Sequence, residues 1–175
     1  MKFLETPRLF VRHFLPEDSA GLFRLHSNPK VAQWMGDGQP LTYEQCVKWI
    51  EVSLCNYQTK GFGASAVVEK STNEFVGCCG IVYDPERTNP PIPEIIYSFE
   101  PHWWGQGLAS ELVPALLDYG LTQCGLAQIF ATIYPENLAS QRVLEKAGMI
   151  FERKETDPNG VFSLVYSTRY TEVRT

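Results

Sequence analysis

At 175 residues, 44% hydrophobic and 20% charged, the chain has the make-up of an ordinary globular protein, read as one domain over 1–175 with a sizeable core. A net charge of −5 without a Lys/Arg cluster argues against nucleic acid as the main partner, and no apolar run nears the ~20 residues of a membrane span. The start, Met-Lys-Phe-Leu-Glu-Thr-Pro-Arg, lacks a signal-peptide core, and Cys46, Cys55, Cys78, Cys79 and Cys124 show no zinc-type spacing, which points to buried, reduced thiols in a cytoplasmic protein without a metal.

In chain order, Leu9, Val11, His13 and Leu15 alternate with Phe10, Arg12 and Phe14, so residues 8–15 read as a first strand. Pro16-Glu17-Asp18 opens a helix carrying Leu22, Phe23 and Leu25, and Asn28-Pro29 ends it. Val31 to Met35 adds a further turn before the loop Gly36-Asp37-Gly38-Gln39-Pro40. Thr42 and Gln45 form a capping box for a helix with Val47, Ile50, Leu54 and Tyr57 on one face. Past Gly61-Phe62-Gly63, residues 64–70 and 75–83 read as an antiparallel hairpin around Ser71-Thr72-Asn73-Glu74, with Cys78 and Cys79 on opposite faces. Pro85, Pro90, Pro91 and Pro93 make residues 84–93 an irregular loop.

Residues 94–100 form the next strand, and Pro101 stops it. A helix then runs from about Gly107, with Leu108, Leu112, Ala115, Leu116 and Tyr119 on one face. Pro114 removes a backbone bond to Ser110 and predicts a kink there. Gly120 and Gly125 close this helix, residues 127–134 form a strand, and Asn137 caps a helix over 138–147 that stops at Gly148. Residues 150–155 and 161–170 make a closing hairpin around Asp157-Pro158-Asn159-Gly160, and 173–175 is a frayed end. The class is α/β of the α+β type, a mixed sheet covered by helices.

The stretch from Glu94 to Ser110 organises the rest. A strand that feeds a glycine turn and then a helix N-terminus presents unpaired N–H groups and partial positive charge, which makes an anion cradle, most often for phosphate. A dinucleotide fold would carry its glycines near the start of a βαβ unit, and a P-loop needs a Gly-Lys-Ser/Thr ending that is absent here.

Trp104-Gly105-Gln106-Gly107-Leu108-Ala109 resembles the signature Gln/Arg-x-x-Gly-x-Gly/Ala of the GNAT superfamily of N-acyltransferases. Gly107 and Ala109 match its second half, and Trp104 stands where Gln or Arg is usual. Trp-Gly-x-Gly-x-Ala is closer to the RimJ/RimL-type branch, the ribosomal-protein N-terminal acetyltransferases and their relatives. The segments Glu5-Thr6-Pro7-Arg8-Leu9 with Arg12, and Glu136-Asn137-Leu138-Ala139-Ser140-Gln141-Arg142-Val143-Leu144-Glu145-Lys146-Ala147-Gly148, carry the same likeness over nearly the whole chain.

The resemblance implies a mixed, mostly antiparallel sheet whose parallel fourth and fifth strands splay apart, with helices on both faces. It implies acetyl-CoA in that gap, coenzyme A as product, no metal, and direct attack on the thioester by an amine, either a protein N-terminus or a small molecule. It leaves monomer and homodimer open. The main chain of Trp104, Gly105, Gln106, Gly107, Leu108, Ala109 and Ser110 would hold the pyrophosphate, and Ser98, Phe99 and Glu100 would pair with the pantetheine amides. Arg142 and Lys146 would meet the nucleotide phosphates or form a solvated helix face. Glu94 is the expected base, with Glu100 and Asp84 as rivals. The tyrosine that many relatives use as acid is Leu144 here, so Ser140 takes the role, with Asn137 as cofactor or water partner and helix cap, and Tyr134 in reserve. Trp34, Met35, Trp49, Tyr83 and Trp103 are candidates for the acceptor pocket, and His102 alone of the histidines is expected near the cofactor. The competing class is a catalytically silent acyl-CoA-binding or regulatory domain.

Overall fold

Alternating apolar residues build one sheet, and its order follows from which hairpins can close. The computed structural model describes residues 2–83, 92–156 and 160–169. Its strands are β1 (Lys2–Glu5), β2 (Leu9–Arg12), β3 (Ala64–Glu69), β4 (Phe75–Tyr83), β5 (Pro93–Phe99), β6 (Phe130–Ile133), β7 (Ile150–Thr156) and β8 (Phe162–Ser167), in the order β1-β2-β3-β4-β5-β6-β8-β7. The helices are α1 (Ser19–His26), α2 (Pro29–Ala32), α3 (Tyr43–Lys60), α4 (Leu108–Thr122) and α5 (Leu138–Lys146). All neighbouring strands are antiparallel except β5 and β6, which run parallel and share a single registered pair, Glu94 with Phe130.

The period of two along each strand sorts side chains to two faces. Cys79, Ile81, Ile95 and Phe99 pack with Leu112, Leu116 and Leu144 of α4 and α5. Cys78 and Ala66 pack with Leu22, Leu25 and Ile50 of α1 and α3. The adjacent cysteines therefore do lie on opposite faces, and the sheet is covered on both. Cys46, Cys78 and Cys79 are buried free thiols, whereas Cys55 is exposed, against the expectation that all are buried. Among the described residues no helix is long and apolar enough to cross a membrane.

Several boundaries differ from the sequence reading. The first strand shortens to β2, because the chain reverses at Thr6, whose N–H donates to Leu9 O at 2.9 Å, and residues 2–5 pair back as β1. That added strand makes the parallel pair β5 and β6 rather than the fourth and fifth. Pro16–Asp18 is a 3-10 turn ahead of α1. Helix α4 continues through Pro114 from Leu108 to Thr122. The capping box of α3 is present: Thr42 Oγ1 accepts from Gln45 N at 3.2 Å, and Gln45 Oε1 accepts from Thr42 N at 2.7 Å. Most of the proline loop (84–91), the turn at 157–159 and the end beyond 169 lie outside the described residues.

The β3–β4 turn depends on one carboxylate. Glu69 Oε2 accepts from the main-chain and hydroxyl donors of both Ser71 and Thr72, at 2.8–2.9 Å. The Ser71 hydroxyl and amide, then the Thr72 amide, pull its pKa from 4.5 down to about 2. A carboxyl depressed by folding contributes stability that is complete above its unfolded value and is lost as pH falls toward its folded one. Glu69→Gln should therefore lower the melting temperature near neutrality, and the difference from the parent should shrink between about pH 4.5 and 2. Thermal melts across that range check it.

Candidate active site

The parity of β5 decides what the site presents. Glu100 N donates to Val76 O at 3.0 Å, which sets the parity by which the even-numbered residues of β5 direct both main-chain groups toward β4. Ser98, opposite Cys78, belongs to that set. Pro93, which has no N–H, occupies an odd slot where β4 needs none. Odd residues face β6, which pairs only at the start, so Tyr97 and Phe99 offer main-chain groups to a cleft of roughly 1240 Å³ between the diverging strands.

Ser98 and Glu100 are thus corrected as main-chain pantetheine partners: Ser98 lines the cleft but turns its main chain to β4, and both main-chain groups of Glu100 are already taken. Glu100 N–H is used by Val76, and its carbonyl accepts from Trp103 N at 2.9 Å. Its buried carboxylate turns away from the cleft to Arg24, with Nη2 at 2.6 Å and Nε at 2.8 Å. Phe99 keeps its place on the cleft edge, although its carbonyl accepts from Trp104 Nε1 at 2.7 Å, which ties the strand end to the following turn. Tyr97 is a cleft-edge residue that the sequence reading missed.

Gly105 and Gly107 have φ of +74° and +78°, a left-handed backbone that fits glycine and lets the turn reverse into α4. The first hydrogen bond of α4 runs from Glu111 N to Gly107 O at 3.1 Å, so the amides of Leu108, Ala109 and Ser110 precede the helical ladder and face the cleft mouth. The turn is braced from the other end of the chain. Arg8 Nη1 donates to Gln106 O at 2.9 Å and Nε to Glu111 Oε2 at 2.7 Å, while Thr6 Oγ1 and Arg8 N donate to Glu111 Oε1 at 2.5 and 2.8 Å. Burial alone would raise the Glu111 carboxyl, but the Thr6 and Arg8 bonds outweigh it and hold it below the usual range. The Glu111 carboxylate thereby stays ionised and charge-paired with Arg8, which also holds the Gln106 carbonyl. Arg142 and Lys146, both exposed on α5, line the same cleft.

Glu94 is buried at the start of β5, on the face shared with Ile96 and with the α1–α3 layer. Ser140 lies in the first turn of α5 on the other face, and both line the cleft. Asn137 Oδ1 accepts from Ser140 N at 3.1 Å and caps α5, while the Ser140 hydroxyl sits 2.6 Å from the Tyr97 hydroxyl. Burial pushes the Tyr97 phenol up to about 12 despite the Ser140 bond. Tyr134 donates its hydroxyl to Gly36 O at 2.7 Å, bridging the end of β6 to the loop after α2.

Of the acceptor-pocket candidates, Trp34, Met35 and Trp103 line the cleft. Trp49 instead packs on His26, and Tyr83 on Phe62. His102 turns to Glu100, Nδ1 to Oε2 3.5 Å, outside the cleft. Cys78 touches the cleft, but burial holds its thiol up at about 12, and Cys79 is raised as well, so neither is a ready nucleophile. Asp84 lies outside the described residues.

The profile of the acetyltransferase (GNAT) domain matches residues 8–150. The chain belongs to the GNAT acetyltransferase family. An uncharacterized N-acetyltransferase of Bacillus subtilis (strain 168), YoaA, is 30% identical over 145 residues, 83% of this chain and 81% of the relative. A GNAT acetyltransferase of Bacillus anthracis has a similar solved structure at 28% identity, with a TM-score of 0.77 over 95% of this chain and 97% of that one. RimL, a ribosomal L7/L12 alpha-N-protein acetyltransferase solved with coenzyme A, shares the fold at 18% identity, with a TM-score of 0.78 over 99% and 100%. The GNAT chain described here is an N-acetyltransferase.

The correction at Glu100 has a direct test. Glu100→Gln weakens a pair whose Arg24 partner is largely exposed, so it should lower stability by no more than about 1 kcal/mol. Steady-state kinetics should return an unchanged KM for acetyl-CoA.

Proposed function

We propose that this GNAT enzyme, as a single domain over 1–175 of the RimJ/RimL-type branch, moves the acetyl group of acetyl-CoA to an amine by direct attack on the thioester. The observation that carries the reading is that Glu94 and Ser140 stand on opposite faces of the opening between β5 and β6. An amine entering from the α1–α3 side meets a carboxylate, and a sulfur leaving toward α5 meets a hydroxyl.

The residues present fit the donor. The amides of Leu108, Ala109 and Ser110 suit its pyrophosphate, Tyr97 and Phe99 suit its pantetheine amides as a neighbouring strand would, and Arg142 with Lys146 suits its nucleotide phosphates. Acetyl-CoA supplies an activated carbonyl, and the protein supplies placement and protons. At pH 7 roughly a tenth of an α-amine is neutral but less than a thousandth of a lysine amine, so a base at Glu94 raises the reactive fraction. Ser140 gives its hydroxyl proton to the departing sulfur. Asn137 fixes the first turn of α5 on which that hydroxyl is mounted. Tyr134, whose proton is engaged by Gly36, is less suited to the acid role.

The acceptor is a protein N-terminus or a small amine, and Trp34, Met35 and Trp103 give its pocket an apolar wall. A cytosolic setting fits the exposed thiol of Cys55. Radiolabelled acetyl transfer screened over N-terminal peptides, polyamines and aminoglycosides tests the whole reading; coenzyme A binding without transfer to any amine would favour a silent binding domain. Ser140→Ala should lower kcat about a hundredfold with little change in acetyl-CoA affinity, as removal of a general acid does. Glu94→Gln should depress kcat/KM most at low pH, where neutral amine is scarcest, and an equal loss at every pH would count against it as base.

A further inference from the structure

We propose that Tyr97 is a positioning residue that aims and recharges the Ser140 hydroxyl; the inference rests on the acid role given to Ser140 above. Tyr97 projects from β5 into the face covered by α4 and α5, and its hydroxyl meets Ser140 Oγ at 2.6 Å, a short contact for two hydroxyls. The ring is held among apolar neighbours of the main core, so the phenol oxygen has little freedom. Ser140 is fixed from below by its own N–H, bound to Asn137. Of the two hydroxyls the phenol is the stronger donor, which makes Tyr97 the donor and Ser140 the acceptor. The Ser140 proton is then turned away from Tyr97, toward the cleft that both residues line.

This arrangement answers a weakness of serine as an acid, because an isolated alkoxide is a poor conjugate base. As the carbon–sulfur bond breaks, its electron pair goes to sulfur, and sulfur takes the Ser140 proton. The negative charge left on Ser140 Oγ is met by the Tyr97 O–H in a charge-assisted bond, and that proton can pass to Oγ. The phenolate so formed regains a proton from solvent, while the proton lost by the amine leaves through Glu94. The pair ends as it began. Burial keeps Tyr97 protonated well beyond neutral pH, so its proton is present throughout the working range.

Tyr97→Phe keeps the ring and removes only the oxygen. The test compares this variant, Ser140→Ala and the double variant by CoA release from acetyl-CoA, with an amine acceptor and in slow acceptor-free hydrolysis, so that no particular acceptor is required. Tyr97→Phe should lower kcat roughly tenfold with the KM for acetyl-CoA unchanged. The double variant should be no slower than Ser140→Ala alone, because Tyr97 works only through that hydroxyl. Multiplying losses in the double variant would overturn the proposal, as would a raised KM at constant kcat, which marks a packing role. A slowed Ser140→Ala beside an unaffected Tyr97→Phe defeats this inference and leaves the Ser140 reading standing. An unaffected Ser140→Ala beside a slowed Tyr97→Phe removes both and makes the phenol itself the acid.

Discussion

The structure depends on a parallel strand pair that meets once and then separates. β5 is registered to β4 at seven positions, from Pro93 to Phe99, so it is rigid along its whole length. β6 meets it only at Glu94 and Phe130, and its other edge is held by β8. A strand with one edge saturated and the other open presents a fixed row of donors and acceptors in the middle of a sheet. The residues of the proposed chemistry are arranged around that row. α4 starts at its far end, α5 lies beside one face, and the loop after α2 closes over the other.

The proposed cradle would hold an anion on an acidic chain with dipoles and few net charges. Two left-handed glycines turn the amides outward, and Arg8 pins the intervening Gln106 carbonyl with one N–H while a second reaches Glu111. Glu111, which would oppose phosphate if left bare, becomes the anchor for that arginine. The first residues of the chain are therefore part of the cradle. This explains why a short segment near the N-terminus, Thr6 with Arg8, carries a likeness that the glycines alone do not.

The broad architecture was legible because it rests on local signals. The capping box at Thr42, the cap at Asn137 and the glycine turn at 105–107 each follow from residues within four positions of one another. The parity of β5 was not legible in that way. Whether Ser98 or Tyr97 faces the gap depends on which residues bond to β4, a fact about a neighbouring strand. One available signal was missed: a tyrosine alternating with Ile95 and Phe99 on an apolar face needs a polar partner for its hydroxyl, and the polar residues of α5 are the nearest supply. β1 was missed because four residues with one buried side chain carry almost no pattern of their own and exist through pairing with β2. Glu100 was misassigned for a related reason, since Arg24 lies 76 residues away and no spacing announces it.

An open strand edge is ordinarily a hazard, because any extended chain can add to it. Here the edge lies at the bottom of a narrow wedge, between β6 and the helices that cover both faces, and Trp104 has already engaged its last carbonyl. Only something as thin as a single extended arm, with amides at strand-like intervals, can complete the ladder. On the proposed reading, the cleft would thus select its ligand by cross-section as well as by the contacts at the cradle.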